Sequence, residues 1–140
     1  MSLPVLDRVL LVDDDKVTNL MHARLIRKAG LAKNIDVATD GVAAIEYLVG
    51  FAARSETPPQ IIFLDLNMPR MNGFEFLNEY KSLPESVREA QDIVMLSTSV
   101  LPADKSRAEA DPDVLEFVTK PIRADKLLAI FEDQHARRAG

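Results

Sequence analysis

The chain has 140 residues, the size of one ordinary domain, and 47% of them are hydrophobic, enough for a real core. Charged residues make up 28%, unlike a disordered chain, and 17 basic against 22 acidic side chains give a net charge of −5, which argues against direct nucleic acid binding. Without cysteine there are no disulfides, thiolate zinc sites or cysteine nucleophiles. No apolar run approaches the roughly 20 residues that span a bilayer, and MSLPVLDR lacks the features of a signal peptide, so a cytoplasmic, membrane-free protein is expected.

In chain order, Met1 to Leu3 are compatible with an expression scar. The apolar run Val9 to Val12 predicts a first strand, and it ends in Asp13, Asp14 and Asp15. From Lys16 onward Val17, Leu20, Met21 and Leu25 recur at helical intervals, and Gly30 stops that helix. Ile35 to Ala38 predicts a second strand. Thr39-Asp40-Gly41 reads as a turn and helix start, followed by the stripe Val42, Ile45 and Leu48. Arg54 to Pro59 is a polar loop.

Ile61 to Leu64 is an unbroken apolar run, the pattern of a strand buried on both faces, and it runs straight into Asp65. Gly73 to Lys81 has helical spacing through Phe74, Leu77 and Tyr80. Ile93 to Leu96 predicts a fourth strand ending in Ser97, Thr98 and Ser99. Pro102 to Ala110 is a polar surface helix. Val114 to Val118 predicts a fifth strand ending in Thr119-Lys120-Pro121, and Asp125 to Arg137 a last helix with Leu127, Leu128 and Phe131 inward. His22 and His135 read as surface residues, and Arg137-Arg138 as a solvated tail.

Strands alternating with helices imply right-handed βαβ units and a parallel sheet covered on both faces. In such sheets, sites form at the carboxyl ends of the strands. Asp13 and Asp14, Asp65, Ser97 and Lys120 each fall at such an end. Three carboxylates brought together repel one another, and a hard divalent cation relieves that; Mg²⁺ suits two carboxylates and a carbonyl, keeping several waters. A carboxylate beside a metal, a lysine and a hydroxyl can accept a phosphoryl group, since Asp is a nucleophile toward phosphorus and the transfer needs mainly positioning and charge neutralisation. Each residue also has a plainer reading. Asp13 to Asp15 can cap a helix, Asp65 can form a turn, Lys120 can be solvated and Ser97 can bond backbone. Agreement of four positions favours the site.

The segments LLVDDD, FLDLNMPRMNGFEFL, MLSTS and FVTKPI, in this order, resemble the receiver domain of two-component response regulators, including the single-domain chemotaxis receiver. The likeness runs from about Val9 to Phe131, and DLNMPRMNG is its most specific part. It implies a flavodoxin-like, doubly wound (βα)5 three-layer α/β sandwich with a five-stranded parallel sheet in the order 2-1-3-4-5. One receiver domain over residues 1–140, with a core of about 8–136, is expected.

The resemblance also implies roles. Asp65 corresponds to the phosphoacceptor, Asp14 to the direct Mg²⁺ ligand and Asp13 to one acting mainly through water. Asn67 would offer its backbone carbonyl to the metal, which could also be Mn²⁺. Ser97 corresponds to the switch hydroxyl, Lys120 to the lysine that pairs with the phosphoryl group, and Phe117 to the aromatic switch residue, turning inward on activation. Lys120-Pro121 is expected to be a cis bond. Pro69 would stiffen the turn after Asp65, and Gly73 would let the chain enter the next helix. Asn67 and Ser99 flank the phosphoryl group and tune its lifetime, for which an intermediate value is expected.

Such a protein takes its phosphoryl group from a histidine kinase or histidine phosphotransfer protein. It then changes a face built from the Pro102–Ala110 helix, the fifth strand and the last helix. It catalyses only its own phosphorylation and dephosphorylation, as a monomer or a phosphorylation-dependent dimer. The alternative reading is a stand-alone phosphorelay intermediate or phosphate sink, or a receiver fragment of a larger regulator or hybrid kinase. A haloacid dehalogenase-type phosphatase would need an acid at position 67, where Asn67 stands. A flavin carrier would need a Ser-, Thr- and Gly-rich first loop instead of DDDK. A pseudo-receiver acting purely as an interaction module is the third rival, and the complete set of site residues argues against it.

Overall fold

The computed structural model describes residues 3–54 and 56–139. Met1, Ser2 and Ser55 of the polar loop therefore lie outside the described residues. The elements are β1 (Leu6–Val12), α1 (Lys16–Ala29), β2 (Ala32–Ala38), α2 (Gly41–Ala52), β3 (Ile61–Asp65), α3 (Gly73–Tyr80), a one-turn α4 (Glu85–Arg88), β4 (Asp92–Ser97), α5 (Pro102–Glu109), β5 (Val114–Thr119) and α6 (Ala124–Ala139). The five strands form one parallel sheet in the order β2-β1-β3-β4-β5, the doubly wound arrangement the resemblance implies.

The side-chain alternation of the strands divides the core into two layers. Leu10, Val12, Ile62, Leu64 and Met95 face α2, α3 and α5, where they meet Leu48, Phe76, Tyr80 and Ala108. Val9, Leu11, Ile61, Phe63, Val94 and Leu96 face α1 and α6, where they meet Ile26, Leu127, Ile130 and Phe131. All residues of β3 are buried, as the unbroken run predicted. Each such aliphatic or aromatic side chain contributes about 1.5–3 kcal/mol, so the central strand is held more firmly than any loop around it.

One amphipathic assignment, in α6, is corrected, and the apolar stripe of α1 turns out to face solvent. The exposed side of α1 is the apolar stripe itself: Val17, Leu20 and Met21 are 65%, 56% and 42% exposed. Its buried side carries Thr18, Asn19, His22, Ala23 and Ile26. Apolar spacing marks a face, and here the core face is the one with polar groups, because those groups have partners inside. In α6, Leu128 points outward and Ile130 takes the inward place beside Leu127 and Phe131.

The Arg137-Arg138 pair is also not a solvated tail. Arg138 donates to Asp92 Oδ2 at 2.9 Å and to the carbonyls of Gln91 (2.8 Å) and Glu89 (3.0 Å). Asp92 is completely buried at the start of β4, so the end of α6 is latched to the amino-terminal edge of the sheet. Helix α5 is short and polar as expected, starting at Pro102 and burying Ala108. Among the described residues, no helix is long and apolar enough to cross a membrane.

Candidate functional site

The register fixes where the strands end. Val12 pairs with Leu64, Asp65 with Leu96, and Ser97 with Thr119. The residues at or just beyond these positions are Asp13, Asp65, Ser97 and Lys120, and the sheet brings all four to one edge. The backbone closes the same edge: Leu66 N–H donates to Leu96 O and Lys120 N–H to Ser97 O, both at 2.8 Å.

The three aspartates after β1 divide the work. Asp15 caps α1, accepting from Val17 N–H (3.0 Å) and from the Thr18 hydroxyl (2.8 Å), which satisfies one of the amides of the first turn. Asp13 turns inward, and its Oδ1 accepts from Asp15 N–H at 2.9 Å. Asp14 is exposed at the rim. Capping and site formation thus belong to different members of the acidic run.

Carboxylate oxygens of Asp13, Asp14 and Asp65 come within 4.8 Å of one another. Asp13 and Asp65 are each only 2% exposed. Lys120 Nζ lies 3.0 Å from Asp13 Oδ2 and 3.2 Å from Asp65 Oδ1. Burial, reinforced by the Asp13 charge, pushes the Asp65 carboxyl up to about 6, against the opposing pull of Lys120 and the Asn67 amide. Burial pulls the Lys120 ammonium down, but its hydrogen bond to Asp13 and the charge of Asp65 outweigh that and leave it raised. One ammonium among three carboxylates leaves a deficit of positive charge. An all-oxygen donor set with that deficit fits a hard divalent cation.

Asn67 stands at the rim. Its N–H donates to Asp65 Oδ1 at 3.3 Å, and its side-chain amide donates to Ser97 Oγ at 3.3 Å. Ser97 is buried, and its hydroxyl oxygen also accepts from Ser99 N–H at 3.3 Å. Phe117 is 7% exposed and belongs to the core layer under α3 and α5, so in this conformation the ring is already in. The Lys120–Pro121 bond is cis.

The turn after β3 differs in detail from its expected construction. The left-handed residue is Arg70, at φ 69°, where Met71 N–H closes back on Pro69 O at 2.8 Å. Gly73 has no such φ. A Cβ there would stand 2.9 Å from Met95 Cε and 3.0 Å from Leu66 Cα, so Gly73 is needed for the close approach of α3 to the sheet. Asn72 caps α3 by accepting from Glu75 N–H at 2.9 Å, and Glu75 returns a bond to Asn72 N–H.

One polar residue beside the site is buried, contrary to its expectation as a surface residue. His22 is 2% exposed, and its Nε2 accepts from Ile122 N–H at 3.1 Å. Asn19, one turn earlier on the same face, donates to Asp13 O at 2.9 Å. The available signal was their three-residue spacing, continued by Ala23 and Ile26; the stronger apolar stripe on the other side hid it.

A buried carboxylate, two further acids and a lysine thus lie together at the carboxyl edge of a doubly wound sheet, as the resemblance to receiver domains implies. Comparison with known proteins agrees: the chain belongs to the response regulator receiver domain family, whose model matches residues 9–132. The probable methanogenesis regulatory protein FilR2 of Methanothrix harundinacea (strain 6Ac) is 30% identical over 125 residues, covering 89% of this chain and 79% of that protein. The protein-glutamate methylesterase/protein-glutamine glutaminase 3 of Burkholderia thailandensis is 32% identical over 115 residues, covering 81% of this chain but 29% of its own length. The crystal structure of a two component response regulator from Cytophaga hutchinsonii is similar at TM-score 0.87 and 33% identity, over 94% of this chain and 98% of that one. Family membership leaves the phosphatase and flavin-carrier readings without support.

Proposed function

We propose that this chain is a Mg²⁺-dependent phosphoacceptor in two-component signal transduction, with Asp65 as the acceptor. The observation that carries the reading is the Asp13–Asp65–Lys120 cluster, two buried carboxylates sharing one ammonium at the sheet edge. A carboxylate oxygen of Asp65 attacks the phosphorus of a phosphohistidine on a histidine kinase or histidine phosphotransfer protein. The P–N bond breaks, an acyl phosphate forms and the imidazole leaves. Asp13, Asp14, Asp65 and the Asn67 carbonyl would hold Mg²⁺ or Mn²⁺, which supplies positive charge to the transferring oxygens. Lys120 exchanges its bond to Asp65 for one to the phosphoryl group, and Ser97 leaves Asn67 to donate its hydroxyl to a phosphoryl oxygen.

Asn67 and Ser99 flank that group and set how readily water reaches it, consistent with an acyl phosphate of intermediate lifetime. The phosphoryl charge biases a two-state equilibrium of Ser97 and Phe117, and the face of α5, β5 and α6 carries the change to a partner. The exposed stripe Val17, Leu20 and Met21, with Pro121 and Ile122, lines a groove of about 550 Å³ beside the site. It offers an apolar landing surface for the phosphodonor. We read residues 1–140 as one cytoplasmic receiver domain with a core of about 8–136. It acts as a monomer or phosphorylation-dependent dimer whose chemistry is limited to its own phosphorylation and dephosphorylation. A phosphorelay intermediate, a phosphate sink and a receiver module of a larger regulator or hybrid kinase use the same site.

The test is a set of amide NMR spectra with Mg²⁺, before and after addition of acetyl phosphate. Shifts centred on Asp65, Ser97, Phe117 and Lys120 are expected. Spectra unchanged by Mg²⁺ and phosphodonor together would contradict the reading.

A further inference from the structure

We propose that His22 is a positioning residue for Lys120, acting through the backbone of the loop that carries it. The inference rests on the phosphoacceptor reading for its functional consequence, and on geometry for the contact itself.

Lys120 reaches both buried carboxylates from the end of β5, so its place depends on the segment Lys120–Ile122. Two backbone donors are available there, because Pro121 has none. Lys120 N–H is taken by Ser97 O at 2.8 Å. Ile122 N–H is taken by His22 Nε2 at 3.1 Å. Ile122 is 3% exposed, so water cannot replace this acceptor cheaply. The loop is thereby pinned on one side to β4 and on the other to α1.

Helix α1 is itself fixed to the site. Asn19 donates to the carbonyl of Asp13, and Asp15 caps the helix directly after Asp13 and Asp14. His22 and Asn19 therefore form two rungs of one bracket, joining the strand end that carries Asp13 to the loop that carries Lys120. The Lys120–Asp13 contact at 3.0 Å spans the same gap. Accepting from an amide requires an unprotonated Nε2. Burial holds the imidazole below its usual range, with Asp13 opposing and Lys120 assisting, which favours the neutral form. An apolar residue at this point of the core would pack as well but would leave the Ile122 amide without a partner.

The experiment compares wild type, His22→Gln and His22→Leu. Glutamine places an amide oxygen near the position of Nε2 and keeps an acceptor; leucine keeps volume and removes it. Acetyl phosphate with Mg²⁺ supplies the phosphoryl group, and the initial rate is followed by intact mass. His22→Leu should lower the maximal rate about tenfold or more while His22→Gln stays within about threefold, as expected when a reacting group is displaced by a fraction of an ångström to an ångström. The acetyl phosphate concentration for half-maximal rate should move little in either.

A second measurement is independent of phosphorylation. Wild type should show scalar coupling between the Ile122 amide nitrogen and His22 Nε2, and slow hydrogen exchange at Ile122 and Lys120. Exchange should quicken at both amides in His22→Leu and stay slow in His22→Gln. Equal rates in all three proteins, or an equal loss in both variants, would overturn the inference. So would absence of the coupling in wild type. If wild type accepts no phosphoryl group, that failure belongs to the phosphoacceptor reading, and the coupling with the exchange pattern decides the positioning role.

Discussion

The side-chain amide of Asn67 donates to the hydroxyl oxygen of Ser97 across 3.3 Å, at the edge where β3 and β4 end. The hydroxyl that would serve the phosphoryl group is thus already engaged, with Ser99 N–H as its second donor. Phosphorylation has to draw the hydroxyl out of a small existing network. Removing the hydroxyl should separate chemistry from signal. Ser97→Ala is expected to take up phosphate within a few-fold of wild type, about 1 kcal/mol or less of barrier, while the amide shifts at Phe117 that follow phosphorylation disappear. Full retention of those shifts would show that Ser97 does not couple the two.

Lys120 is the counter-charge for two buried carboxylates, with its side chain 11% exposed. Removing one partner of a buried ionic group costs about 3–5 kcal/mol. Lys120→Met should therefore lose stability of that order in urea unfolding at neutral pH without metal. Mg²⁺ should restore much of it, because a divalent cation replaces the missing charge. A loss that Mg²⁺ leaves untouched would place the lysine's contribution elsewhere.

The raised Asp65 carboxyl has a defined pH signature. Its folded value of about 6 lies above the usual carboxylate range. The native state thus binds this proton more tightly than the unfolded chain, and the stabilisation is fully present below about 4 and lost as pH rises toward about 6. Above that the ionised, buried Asp65 is a constant burden. Asp65→Asn should accordingly be more stable than wild type above pH 6 without metal, with the advantage shrinking as pH falls to about 4. Saturating Mg²⁺ should reverse the order at neutral pH, since wild type alone keeps the full ligand set. Thermal unfolding across pH, with and without Mg²⁺, checks all of this.

Gly73→Ala tests the tight approach of α3. The added methyl would meet Met95 Cε at 2.9 Å, which can yield, and Leu66 Cα at 3.0 Å, which is backbone and cannot easily. Overpacking of this kind costs about 1–3 kcal/mol, outweighing the gain of about 0.4–1 kcal/mol from a stiffer unfolded chain. A net loss in urea unfolding is expected, together with slower phosphorylation because Leu66 adjoins Asp65.

Arg138→Ala probes the opposite end of the sheet. It removes three bonds, one of them to the buried Asp92. Hydrogen bonds involving charged groups contribute about 1.5–3 kcal/mol, and Arg137 remains to compensate in part, so about 2 kcal/mol should be lost. The phosphorylation rate should not change, because this latch lies at the amino-terminal edge of β4 and the site at the carboxyl edge. A parallel fall in rate would tie the two ends together.

Much of this molecule could be read from residue order. The β3 run is apolar at every position because both faces are covered, and its place in the middle of the sheet follows. Asp13, Asp65 and Ser97 were legible because each directly follows an apolar run, and Lys120 because it follows Val118 with only Thr119 between; strand ends in a parallel sheet meet at one edge. What stayed hidden depended on tertiary partners. The spacing of Asn19, His22, Ala23 and Ile26 is a weak local sign that His22 faces inward, and the partner that satisfies its ring nitrogen, the Ile122 amide, lies a hundred residues away in the chain. The Val17–Leu20–Met21 stripe has helical spacing and is apolar without being core. Arg138 looked like tail because Asp92, its partner, sits at a strand start where charge is not expected. Gly73 looked conformational, and only the packed position of Met95 reveals that it is steric.

The most direct measurement is intact mass after incubation with acetyl phosphate, with and without Mg²⁺, on wild type and Asp65→Asn. The account predicts the gain of one phosphoryl group that needs both the metal and Asp65. A gain that persists in Asp65→Asn or without Mg²⁺, or no gain even when a phosphorylated histidine phosphotransfer protein is the donor, would contradict it.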